Sequence, residues 1–236
     1  MTLDLEMAIP TPVPTAENPF ALGWRYTGRS GGDDWRVPLT ETDLVFPQEG
    51  DFVVNNLAHE DNRQYLASAL RQRIEGRPGL RVFSDHLIDF QHPAVPKPLG
   101  PDLILLNGED RDWDPGVGVF PVLDMGARPL ITFEITSPST RRVDVIEKME
   151  KFHLVGVPLY VLIDLPAGGA RRPLGVVAYQ AGPTRYEALP PEPDGRVWLE
   201  VVEVYLAAED NRVVCYDPGG RRIPDYSELA AERDAA

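Results

Sequence analysis

At 236 residues, with 43% hydrophobic and 25% charged side chains, the chain is long enough for one substantial domain with a small appendage. A single cysteine, Cys215, excludes an intramolecular disulfide and a thiolate metal cluster. The formal charge of −14 argues against broad electrostatic binding to nucleic acid, and no apolar run approaches the roughly 20 residues needed to cross a bilayer.

The N-terminal residues carry acids and prolines where a signal peptide would carry basic residues and then an apolar core, so a cytoplasmic location is expected. Residues 1–22, with Pro10, Pro12, Pro14 and Pro19, read as a proline-rich arm. Trp24 to Val37 reads as a hairpin, two short strands around the Gly-rich turn that begins at Gly28. A helix follows, with Asn62, Leu66, Leu70 and Ile74 on one face, His59 one turn earlier on that face, and an end near Gly76 and Pro78.

Leu80 to Phe90 is a strand candidate, and Pro101 to Leu106 a second and fully buried one. A loop with Trp113 and several acids reads as solvated and leads to a third strand, Leu130 to Thr136. After Ser137-Pro138-Ser139-Thr140, which reads as helix-capping chemistry, Ile146, Met149 and Phe152 predict the apolar side of a helix closed by Gly156 and Pro158. Pro158 to Asp164 is the fourth strand.

This order predicts an α/β core over residues 23–170, the second helix joining two parallel strands of one sheet in a right-handed crossover. From Gly175 onward short strands between Pro and Gly turns (Val176–Tyr179, Tyr186–Leu189, Val197–Leu199, Arg212–Tyr216) read as a β-rich annex over residues 171–220. Residues 221–236 form a polar tail.

Two acids stand out. Asp102 opens the run Leu103-Ile104-Leu105-Leu106, and Glu134 lies inside Ile131-Thr132-Phe133-Glu134-Ile135-Thr136. A carboxylate in so apolar a strand must be paired, protonated or bound to metal. If the strands are neighbours, both acids and the main-chain carbonyl of Ile135 form an oxygen set for Mg²⁺ or Mn²⁺. Such an ion lowers the pKa of water and stabilises charge on a phosphate. No lysine lies two residues after Glu134, where Thr136 stands. Lys148, four residues after Asp144 on the following helix, is the substitute. The Arg141, Arg142, Lys148 and Lys151 group offers a local basic cluster against phosphate.

The stretch from Glu134 through Thr140-Arg141, then Asp144, Lys148, Gly156-Val157-Pro158-Leu159-Tyr160 and Asp164, resembles the Uma-two family of putative restriction endonucleases, members of the PD-(D/E)XK nuclease superfamily. Pro101-Asp102 fits as well. The resemblance implies a restriction-endonuclease-like mixed sheet flanked by helices, and Mg²⁺-dependent cleavage of DNA phosphodiesters. It assigns Asp102 and Glu134 to the metal, and Lys148 to a lysine moved from strand to helix. A homodimer is the form expected of an enzyme that cuts both strands.

Plainer readings stand beside these. Asp102 alone is ordinary turn chemistry, and Glu134 could form a buried salt bridge with Lys148 itself. Asp144 and Lys148 could be a surface pair worth only about 0.3 kcal/mol. His59 and Asp85 join Asp144 as secondary candidates, His59 as a core histidine or a proton shuttle, and Asp85 if its strand edge faces the site. The rivals to a DNA endonuclease are a non-catalytic assembly module with a buried salt-bridge network and a phosphoesterase acting on RNA or nucleotides.

Overall fold

The computed structural model describes residues 18–235, apart from 31–32, 55, 110, 115, 138–139 and 167–172. Most of the proline-rich arm therefore lies outside the described residues. Strands β1 (Gly23–Ser30) and β2 (Asp33–Pro38) form the expected hairpin, and β3 (Asp51–Val53) pairs with the other edge of β1. Between them a short helix, α1 (Glu41–Val45), starts from a Thr40–Asp43 capping box. Helix α2 (Leu57–Ile74) follows, with the Asn56 side chain accepting the His59 N–H at its start.

Six strands make the central sheet. In chain order these are β4 (Leu80–Ser84), β6 (Leu103–Asn107), β8 (Arg128–Ile135), β9 (Leu159–Asp164), β10 (Gly175–Ala181) and β11 (Tyr186–Ala188). Across the sheet they run β11-β10-β9-β8-β6-β4, and only the β8–β9 pair is parallel. The connection between that pair carries a π-helical segment, Val143–Lys148, that continues into α3 (Met149–Leu154). A parallel pair requires such a crossover. Gly156, at φ +79°, ends α3 in a Schellman arrangement, with Gly156 N–H bonded to the His153 carbonyl and Val157 N–H to that of Phe152.

The structure departs from the sequence expectations in four places. The Leu80–Phe90 strand is cut at Asp85, whose φ of 52° turns the chain. Its second half, β5 (Leu87–Asp89), leaves the main sheet and pairs with β7 (Val119–Pro121). The expected annex is divided. Strands β10 and β11 extend the central sheet, whereas β12 (Val197–Leu199), β13 (Val204–Glu209) and β14 (Arg212–Tyr216) form a separate one. Trp113 is half-buried against Phe83, His86 and Phe120 rather than solvated. Ile146 is 56% exposed, because the wider π winding moves the buried side to Val143 and Val145. A terminal helix, α4 (Tyr226–Ala235), closes the chain.

Strand alternation then divides the core in two. Leu103, Leu105, Phe133, Ile135, Val161 and Ile163 meet α2 and the β12–β14 sheet on one face. Ile104, Leu106, Tyr160 and Leu162 meet Val143, Phe152, Phe120 and Leu44 on the other. Glu134 lies beside Leu162 in the parallel ladder, so it points toward the π-helical segment.

Candidate functional site

The β6–β8 ladder pairs Leu103 with Phe133, so one step further along places Asp102 opposite Glu134 on the same face of the sheet. Asp102 is held there by two contacts through Oδ2: it accepts the Ile135 N–H at 2.7 Å and lies 3.2 Å from His59 Nε2. The N–H and C=O of a strand residue point to the same edge, so the Ile135 carbonyl faces the Asp102 side as well.

Glu134 is fully buried. Its Oε2 accepts from Lys148 Nζ at 2.9 Å, and the same ammonium donates to the Gly100 carbonyl at 3.0 Å and lies 3.3 Å from Asp144 Oδ1. The π-helical segment thus brings Asp144 and Lys148 over the strand acids together. Tyr160, from β9, fixes the segment by donating its hydroxyl to the Asp144 carbonyl at 2.5 Å.

Asp102, Asp144, Lys148 and His59 open onto a cleft of about 330 Å³ that Glu49 and Asp51 also line. Asp85 lies on the rim, 80% exposed and 3.4 Å from Arg63, and so stands apart from the buried acids. Gly100, Glu49 and the strand residue Asp51 carried no signal in the sequence, because two of them are loop positions and all three reach the cleft only through the fold.

Charge is concentrated here. Burial opposes ionisation of Asp102, but attraction and hydrogen bonding from His59, the Lys148 charge and the Ile135 N–H outweigh it and push the carboxyl down to about 2. Glu134 goes the other way: burial, reinforced by Asp102 and Asp144, holds it well above the ordinary carboxylate range despite Lys148. Asp144 is also raised, burial and Asp102 outweighing Lys148, the Thr140 hydroxyl and His59. Burial lowers Lys148, yet the three acids together raise it above the usual lysine value. His59 is likewise raised, desolvation being outweighed by Asp102.

A hard divalent ion is what the superfamily resemblance implies, and the donor set fits one. Glu134 Oε1 is buried without a hydrogen-bond partner, Asp144 is buried with only Lys148 and Thr140 beside its carboxylate, and Asp102 is 18% exposed to the cleft. All of these are oxygen donors. Among the described residues no three His, Cys, Asp or Glu side chains already form a metal cluster. The Lys148 ammonium stands between two of the acids instead.

Thr136, at the position where a strand lysine would stand, belongs to a structural network. Its hydroxyl donates to Asp164 Oδ1 at 2.9 Å and accepts the Leu165 N–H at 3.0 Å, while Arg141 donates to both Asp164 oxygens. The expected basic cluster is neutralised throughout: Arg142 pairs with Glu41 and Glu147, Lys151 with Glu150, and Lys148 with the site acids. Ser137 and Thr140 bond to one another at the turn before the π-helical segment.

No curated protein matches the chain. A crystal structure of a putative nuclease of the DUF820 group from Anabaena variabilis ATCC 29413 is similar at 15% identity and a TM-score of 0.41, covering 73% of this chain and 80% of that one. No helix among the described residues is long and apolar enough to cross a membrane. The Uma2 family model, described as "Putative restriction endonuclease", matches residues 48–219 and takes in every element of the site. The chain belongs to that family.

Proposed function

We propose that the protein is a divalent-metal-dependent endonuclease that hydrolyses DNA phosphodiester bonds, with Asp102, Glu134 and the Ile135 carbonyl holding Mg²⁺ or Mn²⁺. The observation that carries this reading is the buried, unpartnered Glu134 Oε1 on the residue opposite Asp102. An orphaned carboxylate oxygen costs about 1–3 kcal/mol or more, and a cation removes that cost. When bound, the ion supplies Lewis-acid stabilisation of phosphate charge and a more acidic water.

The side chains have distinct parts. The Ile135 N–H and His59 hold Asp102 ionised and oriented toward the cleft. Lys148 brings a positive charge to the cleft wall, where it can face a phosphate oxygen. With Arg141 and Arg142 paired to acids and the chain at −14, the ion is the main positive charge for the phosphate, assisted by Lys148 where it leaves the acids. Strand scission by dimers is the form the reading carries.

The test is cleavage of supercoiled plasmid with Mg²⁺ or Mn²⁺, with and without a chelator. Nicking or linearisation that disappears in Asp102→Ala and Glu134→Gln supports the reading. A second reading, a non-catalytic assembly module, is favoured by the closed Lys148–Glu134–Asp144 network. It predicts no metal binding and no cleavage, with Asp102→Ala merely less stable. Cleavage of RNA or nucleotides in place of DNA would assign the same carboxylates to a phosphoesterase.

A further inference from the structure

Lys148 occupies a position suited to a metal ion. Its Nζ is surrounded by Glu134 Oε2 at 2.9 Å, the Gly100 carbonyl at 3.0 Å and Asp144 Oδ1 at 3.3 Å, three oxygens of the kind that coordinate hard cations. The two acids are almost wholly buried, at 0% and 1% exposure. One ammonium does not satisfy them. Glu134 Oε1 lacks a hydrogen bond, and Asp144 has only the 3.3 Å contact with the ammonium and the Thr140 hydroxyl to offset its burial.

We propose that Lys148 is a resident stand-in for the metal, that a divalent cation displaces its ammonium from Glu134 and Asp144, and that Asp144 then serves as a third carboxylate ligand beside Asp102 and Glu134. The proposal rests on the metal-dependent reading above. Lys148 alone faces Glu134 and Asp144, with His59 on Asp102, and a doubly charged ion balances the three carboxyl groups better. The ammonium is freed without unfolding anything: Lys148 already lines the cleft, and a flexible four-carbon stem lets it swing toward the space where a phosphate would enter. Lys148 therefore has two positions, one guarding the empty acids and one facing substrate. It ties metal affinity to a side-chain movement.

Binding of Mn²⁺ to the full chain, without DNA, tests this by calorimetry or electron paramagnetic resonance. Lys148→Met removes the competitor, and its Kd for Mn²⁺ should fall by about tenfold or more, the scale on which one buried charge acts. Asp144→Asn should raise Kd by about tenfold. Wild-type or weaker affinity in a folded Lys148→Met chain, or unchanged affinity in Asp144→Asn, overturns the proposal.

A measurement on the unsubstituted chain covers the case in which Lys148→Met does not fold. The ¹⁵Nζ resonance of Lys148 should move toward that of a solvated lysine as Mg²⁺ saturates the protein. A resonance that stays in place under saturating Mg²⁺ overturns the proposal while leaving metal dependence standing. If no chain binds either ion, both readings fall.

Discussion

Asp102 Oδ2 accepts the backbone N–H of Ile135 at 2.7 Å, so the first acid of the site is bonded to the residue next to the second, Glu134. The contact ties β6 to β8 one step beyond their regular ladder. Asp102→Ala should cost about 1–3 kcal/mol, the scale of one buried N–H left unpaired. Urea unfolding without metal measures it. A loss near zero would mean that Asp102 is only a turn residue.

The same bond and His59 give Asp102 a distinct acid signature. Its folded-state value of about 2 lies below the ordinary 3.8, so its contribution is fully present above pH 4 and is lost as pH falls through 2. The contribution is about 2 kcal/mol on that difference. Asp102→Asn should flatten the stability curve between pH 4 and 2. A profile as steep as wild type would contradict this.

Glu134 and Lys148 should behave as a buried pair. Lys148→Met leaves Glu134 and Asp144 buried without their cation and should cost about 3–5 kcal/mol, whereas Glu134→Gln leaves the ammonium with Asp144 and the Gly100 carbonyl and should cost less. The double change Glu134→Gln with Lys148→Met removes both partners of the 2.9 Å contact, leaving Asp144, and should cost less than the sum of the two single changes. Thermal melts of wild type, Glu134→Gln, Lys148→Met and the double variant give the coupling. Additive effects would show that the 2.9 Å contact carries little energy.

Placing a lysine on the strand should not create a second active amine. Thr136 is fully buried and holds both Asp164 and the Leu165 N–H, so Thr136→Lys puts a charge into that network beside Arg141. A loss of about 3 kcal/mol or more is expected from an unpaired buried charge. Thr136→Ser, which keeps the hydroxyl, should cost far less. Equal melting temperatures for the two variants would refute the structural role.

The π winding also makes a register-specific prediction. Ile146→Lys should stay within about 0.5 kcal/mol of wild type, because the side chain is 56% exposed, whereas Val143→Lys, at a fully buried position, should prevent folding. An ordinary α-helical register, with Ile146 inward, would reverse the order.

Much of this arrangement was legible in the chain, and the illegible parts have physical causes. Asp102 and Glu134 announced themselves because charged groups in strands as apolar as Leu103–Leu106 and Ile131–Ile135 have few tolerable states. The contact of Lys148 with Asp144 is legible from their four-residue spacing, which α and π winding preserve almost equally. Ile146 was misplaced because one extra residue per turn shifts the buried face and leaves no local composition mark. The break at Asp85 was missed because a positive φ at a non-glycine residue is set by tertiary contacts. Residues such as Gly100 and Glu49 reach the cleft through loop paths, and hydrophobic periodicity says nothing about those.

Helix α2, which presents His59 to Asp102, is anchored from far along the chain. Val213 N–H bonds to Asn62 Oδ1, Cys215 N–H to the Tyr65 hydroxyl, and that hydroxyl to the Ile223 carbonyl. The imidazole is thereby aimed by a sheet that contributes no group to the cleft. Shortening the chain ahead of Val213, or fusing a partner that pries β14 loose, would misalign His59 and Asp102 from a distance. Expression formats for this family should leave that distal sheet intact.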